Sequence, residues 1–245
     1  NGELFSPTYL KTIHNQLSAI LNHAVNMYGL KDNVARKAGT MGKEENKEME
    51  FWTQEEFQAF LECVADKPIS YYAFEILYWT GIREGELLAL TPGDFNFEKK
   101  TLRINKSYQR LEGKDVITDP KTPKSNRTIV MPDFLTIEME DFIKSIYGIK
   151  MDDRIFTISK SYLHHEMDRG AKLAGVKRIR IHGLRHSHIS LLINLGFSAL
   201  AIGERVGHEA VDITYRYAHL FPTVQTDMAA QLETEREALV DVRKE

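Results

Sequence analysis

Apolar residues recur at spacings of three and four along most of this chain, and one stretch breaks the rule. From Asp94 to Pro132 the pattern changes. Leu102-Arg103-Ile104 alternates, Val116-Ile117-Thr118 is short and β-branched, Thr128-Ile129-Val130 is β-rich, and polar or glycine-containing turns separate them. These segments predict one small three-stranded antiparallel sheet. Helical patterns flank it. Thr53 and Glu56 stand at capping-box spacing before Phe57, Phe60, Leu61 and Val64, and a second apolar stretch runs from Ile69 through Trp79. Further helices are expected over Phe134–Tyr147, Tyr162–Ala174, Leu184–Leu195 and Ala199–Val206, with a last amphipathic one after Pro222. A single β-rich island in a helical chain makes the fold mainly α with one small sheet (α+β). It argues against doubly wound and barrel α/β architectures.

A second break divides the chain. Lys37 to Glu50 reads KAGTMGKEENKEME, with two glycines, many charges and almost nothing apolar, a linker composition. Before it, Ser6-Pro7 reads as N-cap and first helical residue, followed by Leu10, Ile13, Leu17, Ile20, Leu21, Ala24 and Tyr28 at helical spacing. That stripe is wider than one short helix covers, so its partner is expected upstream or in another macromolecule. With 245 residues, 42% of them hydrophobic and 27% charged, the chain is of ordinary globular composition, which excludes disorder and fibrous structure as global descriptions. Its single Cys63, in a helix-like stretch from Gln58 to Val64, cannot form an internal disulfide and leaves no Cys-based metal cluster. No apolar run approaches the ~18 residues of a membrane span and no signal peptide opens the chain, so a cytoplasmic protein without a membrane partner is expected. Asn1-Gly2 without a Met reads as a cloning scar or an excised fragment, with natural sequence expected upstream.

The net charge of −3 conceals a partition. Residues 96–130 hold nine Lys/Arg against four Asp/Glu, and residues 169–203 hold six against none, while 131–168 and the tail from 224 are acidic. Basic residues gathered on a hairpin and on one helix start are the footprint of a polyanion-binding face; a merely solvated face is the plainer alternative. DNA binding through such a face falls steeply with salt despite the negative total.

Four segments place polar groups in apolar context. In Thr80-Gly81-Ile82-Arg83-Glu84-Gly85-Glu86, Arg83 and Glu86 share a helical face, so the carboxylate can orient the guanidinium; a structural ion pair is the alternative. Lys121 sits in the turn PKTPKSNR, where a mobile point charge can give up a proton, or simply decorate a basic surface turn. Ile181-His182-Gly183-Leu184-Arg185-His186-Ser187-His188 opens a helix and pairs His182 with Arg185, three apart, at an end that favours anions. His182 and His186 have zinc-like spacing, but Arg185 between them argues against a metal. Finally, Gly207-His208 precedes Tyr215 and Tyr217, which point about 160° apart on a helix, so at most one faces a given site. Two arginines, histidines, a lysine and a tyrosine suit phosphodiester transfer. Guanidiniums neutralise the charge of the pentavalent state, a tyrosine attacks phosphorus, and a lysine or histidine protonates the leaving oxygen, with neither ATP nor metal required.

TGIREGELLAL, PKTPKSNRTIVMP, HGLRHSHISLLINLG and VGHEAVDITYRYAHL, in that order, resemble the boxes of the tyrosine recombinase (phage integrase) family, most closely integrases of conjugative transposons and temperate phages. The resemblance covers about residues 51–223. It implies that Arg83 and Arg185 clamp the scissile phosphate with Glu86 supporting Arg83. Lys121 would be the general acid for the 5′-hydroxyl, His182 and His208 would assist, and Tyr217 rather than Tyr215 would be the nucleophile. Lys106, Arg110, Lys124, Arg127 and Arg180 are the expected DNA contacts. Residues 1–46 would be the C-terminal part of a truncated core-binding domain plus linker, and 51–223 the catalytic domain, the two closing a clamp on duplex DNA. Residues 224–245 would form a tail helix that packs at home or docks on a neighbouring protomer. The implied partners are a duplex recombination site, further protomers in a tetrameric synapse and an excision factor. A DNA-binding regulator without catalysis and a type IB topoisomerase remain the alternatives.

Overall fold

The computed structural model describes residues 5–42, 49–119 and 125–207, together with 217, 232 and 233. It divides into two compact units, Asn1–Met49 and Glu50–Glu245. In the first, α1 (Pro7–Tyr28) starts at Ser6, whose hydroxyl accepts the Tyr9 N–H at 3.2 Å, as the Ser-Pro pair indicates. The short α2 (Val34–Lys37) is capped by Asn33, which accepts the Ala35 N–H at 3.0 Å and donates back to Ser18 and Asn22 of α1. Of the predicted apolar stripe, Ile13, Leu17, Ile20 and Tyr28 are exposed on this unit.

The second unit is helical around two small antiparallel sheets. Among the described residues its helices with defined bounds are α3 (Gln54–Glu62), α4 (Pro68–Thr80), α5 (Glu84–Leu87), α6 (Asp133–Ser145), α7 (Lys160–Ala174), α8 (Ile181–Asn194) and α9 (Ala199–Val206). The capping box at α3 is formed: the Glu56 N–H donates to the Thr53 hydroxyl and the Thr53 N–H to the Glu56 carboxylate. The helix ends at Glu62, one residue short of Cys63, which is its C-cap. The core centres on α4, where Phe74, Ile76, Leu77 and Tyr78 are all buried; Phe57 stacks on Tyr78 and Phe60 meets Phe74 edge-on. Trp52 ties the segment before α3 to this core, its backbone N–H donating to the Ser187 hydroxyl and its indole to the Lys177 carbonyl. Among the described residues no helix is long and apolar enough to cross a membrane.

The mainly helical architecture agrees with the period reading, but the sheet is assembled differently. β1 (Phe95–Asn96), β2 (Thr101–Ile104) and β5 (Arg127–Val130) form a three-stranded sheet in the order β1-β2-β5, with Leu102 opposite both Phe95 and Ile129. The expected middle strand, Val116–Thr118, lies instead in β4 (Lys114–Thr118), which among the described residues pairs with β3 (Ser107–Leu111) alone, in a separate hairpin. Its two-residue turn explains why. Glu112 and Gly113 both take positive φ, the geometry that folds a strand straight back on its predecessor. The edge strand β1 is two residues long, too short to leave any periodic signal.

Candidate active site

Helix α4 stops at Gly81, whose left-handed φ of 64° turns the chain toward α5. Arg83 caps α5. Its backbone N–H donates to Glu86 Oε2 and its Nη1 to Glu86 Oε1, both at 2.8 Å, so a spacing of three becomes a closed loop. Glu86 is shared. Arg127 on β5 donates to the same two oxygens at 3.1 and 2.9 Å. Burial alone would raise the Glu86 pKa, but the hydrogen bonds and charges of Arg127 and then Arg83 outweigh it and hold the carboxyl below its ordinary value.

Arg185 lies one turn into α8 and is 1% exposed. Its Nη1 donates to the Gly81 carbonyl at 2.6 Å and its Nη2 to the Val206 carbonyl. Its Nε finds no partner among the described residues. Burial, then the charges of Arg83 and Arg127, lower its pKa to about 9, which leaves it cationic at neutral pH. On the same helix His186 Nδ1 shares a hydrogen bond with the hydroxyl of the fully buried Tyr217. The rings of His182 and His186 meet edge-on at 4.8 Å.

The end of α9 draws these parts together. Three successive carbonyls, of Arg205, Val206 and Gly207, accept from Arg127, Arg185 and Arg83 respectively. Unsatisfied carbonyls at a helix C-terminus carry partial negative charge, so guanidiniums are their natural partners. Arg205 anchors the same turn from below, reaching the Val130 and Trp79 carbonyls and donating to His188 Nε2 at 3.0 Å. His188 is held neutral by burial and by the Arg205 and Arg185 charges, which press its pKa down to about 3.

The structure sorts the expected residues unevenly. Arg83, Glu86, Arg185 and Tyr217 belong to one region or its supporting helix, while Lys121, Lys124 and His208 lie outside the described residues. His182 and Arg185 do not share an environment. His182 is exposed and lines a cleft of about 820 Å³ with Arg83, Glu86, Lys106 and Arg110, whereas Arg185 is buried, because a step of three on a helix crossing a domain surface can pass from solvent to core. Arg110 is exposed, and so is Arg180, the N-cap of α8. Lys106 is engaged by Asp94 at 2.6 Å. Arg127, expected as a DNA contact, has a side chain only 6% exposed, and its Nε, Nη1 and Nη2 each donate within the protein. Arg205 and His188 support the site without any local spacing to mark them, since their partners lie on other elements. Among the described residues no group of three His, Cys, Asp or Glu could hold a metal.

The sequence model of the phage integrase family matches residues 50–223. The chain belongs to the phage integrase family. Its curated relatives include the ICEBs1 integrase of Bacillus subtilis (strain 168), 32% identical over 91% of this chain and 65% of that protein. A XerC-like tyrosine recombinase of Caldanaerobacter subterraneus is 27% identical over the same shares, and the integrase of Mycobacterium phage L5 is 26% identical over 86% of this chain and 58% of its own. This integrase-family chain thus spans about two thirds or less of the length of these relatives. Its fold is shared with the Tn1549 transposon integrase solved in complex with circular intermediate DNA, at a TM-score of 0.70 and 22% identity over 95% of this chain and 80% of that one. A lambda integrase dimer bound to a core site superposes with a TM-score of 0.58 at 17% identity, over 81% of this chain and 71% of that one.

Proposed function

We propose that this chain is the catalytic part of a site-specific DNA recombinase that cleaves and rejoins duplex DNA through a 3′-phosphotyrosine at Tyr217, integrating or excising a mobile element. The observation that carries this is Arg185: a buried, cationic guanidinium whose Nε has no partner among the described residues, beside Arg83 and on the helix whose His186 holds the Tyr217 hydroxyl. A buried charged donor left open is costly unless an anion completes it. In the reaction the Tyr217 oxygen forms a bond to the scissile phosphorus and the bond from phosphorus to the 5′-oxygen breaks. The phenolic proton passes to a histidine, for which His186 is in contact, and Lys121 supplies the proton to the departing 5′-oxygen. Arg83 and Arg185 neutralise the charge that builds on the nonbridging oxygens. Bond energy is conserved in the phosphotyrosine, so the reverse attack by a 5′-hydroxyl rejoins the strand.

Duplex DNA is the substrate in this reading, with protomers of the same protein and an excision factor as further partners. The bound DNA of the Tn1549 integrase and the DNA-bound lambda dimer support the first two by analogy. Residues 1–46 then belong to a core-binding domain and 51–223 to the catalytic domain. The proposed tail helix over 224–245 lies outside the described residues apart from 232 and 233.

The test is adduct trapping on a nicked suicide substrate built from the junction DNA of the element that carries the gene. Wild type and Tyr215→Phe should each become covalently attached to DNA, and Tyr217→Phe should not. Persistence of the adduct in Tyr217→Phe would refute the assignment, and no adduct from the complete protein would favour the non-catalytic regulator.

A further inference from the structure

We propose that Arg127 is a positioning residue of the cleavage step: it neutralises Glu86 so that Arg83 keeps its charge for the scissile phosphate, and it ties α5 to Ser125 and to the end of α9. The proposal rests on the recombinase reading above and goes beyond it, since no family box assigns Arg127 such a role here.

The first argument is one of charge. Arg83 and Glu86 alone would be a neutral pair at 2.8 Å, and the carboxylate that orients the guanidinium would cancel most of its field at a phosphate. The structure places a second guanidinium on the same carboxylate. Arg127 meets both oxygens in parallel, at 3.1 and 2.9 Å, with the side chains of both partners 6% exposed. Two cations then share one anion, and the surplus charge falls to Arg83, which is 35% exposed and lines the cleft. Orientation and charge, which a single ion pair sets against each other, are thereby supplied by different residues.

The second argument is connectivity. Besides Glu86, Arg127 Nε donates to the Arg205 carbonyl at 2.9 Å and Nη1 to the Ser125 carbonyl at 3.2 Å. Arg205 lies three residues before His208 at the end of α9, and Ser125 closes the segment that carries Lys121. One side chain thus joins α5, Ser125 and the end of α9, spanning 41 residues of chain to Glu86 and 78 to Arg205. A lysine could keep the charge, but one ammonium cannot span both Glu86 oxygens and a carbonyl on the far side of the fork.

The experiment compares wild type, Arg127→Lys, Arg127→Met and the double variant Arg127→Met/Glu86→Gln in the full chain. It measures single-turnover cleavage of the suicide substrate, the salt slope of DNA binding and the thermal midpoint. Arg127→Met should slow cleavage roughly hundredfold, the scale of a small misplacement at a reacting centre, and any drop in the salt slope should be undone when Glu86→Gln is added. Glu86→Gln added to it should recover about tenfold, because removing the carboxylate frees Arg83, and Arg127→Lys should fall between wild type and Arg127→Met. Exposed Arg110→Met is the contrast: its slope should drop by about one if it meets a phosphate. A slope lowered by about one in Arg127→Met that Glu86→Gln does not restore would make Arg127 a DNA ligand and overturn the proposal. So would a cleavage loss that follows the thermal midpoint and is not recovered by Glu86→Gln. If wild type itself forms no adduct, the recombinase reading fails; the salt slopes of Arg127→Met and of the double variant then decide separately whether Arg127 touches DNA.

Discussion

Replacing Gly81 by alanine should disable the site from one backbone position, and the cost can be worked from its surroundings. Gly81 sits at φ 64°, where a residue with a Cβ costs about 1–2 kcal/mol. The added Cβ would lie 2.6 Å from His188 Cδ2 and 3.1 Å from Cγ, inside contact distance. The ring has little room to retreat, being 2% exposed and holding the Arg205 Nε at 3.0 Å, so overpacking of about 1–3 kcal/mol is added. The sum is about 2–5 kcal/mol, read from urea unfolding. The chemistry should suffer separately, because the Gly81 carbonyl is the acceptor that fixes Arg185 at 2.6 Å. Suicide-substrate cleavage well below the thermal midpoint should therefore fall even where the variant is folded. Gly81→Asn tolerates left-handed backbone, so the gap between Ala and Asn reports the backbone cost and their common loss reports the clash. In a His188→Ala background the Gly81→Ala step should shrink to about 1–2 kcal/mol, the backbone cost alone. A Gly81→Ala protein within about 1 kcal/mol of wild type that cleaves normally would refute the packing argument and the role of this carbonyl together.

Two other positions make independent claims. Burial, then the neighbouring Glu138 charge, pushes the Glu75 pKa up to about 8 against the Trp79 indole. The folded state therefore holds a proton that the unfolded chain loses near 4.5, and stability should fall as pH rises from there to about 8. Glu75→Gln should flatten that slope and gain on the order of 3 kcal/mol at pH 7, with little change at pH 4; urea curves that stay parallel to wild type from pH 5 to 8 would contradict this. Lys106→Met should cost about 1–3 kcal/mol in chemical denaturation, because Asp94 is 1% exposed and, beside its two hydrogen bonds from Thr91, would keep only the longer 3.5 Å contact from the Arg103 cation. An unchanged midpoint would return Lys106 to the pool of free DNA-facing cations.

Helix starts were readable because their chemistry is local: Ser6-Pro7, Thr53 with Glu56, and Arg83 with Glu86 all complete their bonds within one turn. The sheet was only partly readable. Val116–Thr118 has the composition of a strand, but a strand's partner is chosen by its turn, and the tight Glu112-Gly113 reversal commits β4 to β3. For the site, the residue types and their order along the chain pointed to phosphodiester chemistry and to the family, and both are properties of sequence. Which cation faces solvent and which is spent inside is not. Arg110 and Arg127 are both basic residues of one stretch, yet one is exposed on a hairpin and the other is locked between Glu86 and the end of α9. The sequence by itself determined the helical class, the chemical cast and the family, because periodicity, capping and motif order act over a few residues. Only the tertiary structure decided that Arg83 and Arg127 share one carboxylate and that these two and Arg185 close on three successive carbonyls. Those bonds join residues from four parts of the chain, and no spacing encodes them.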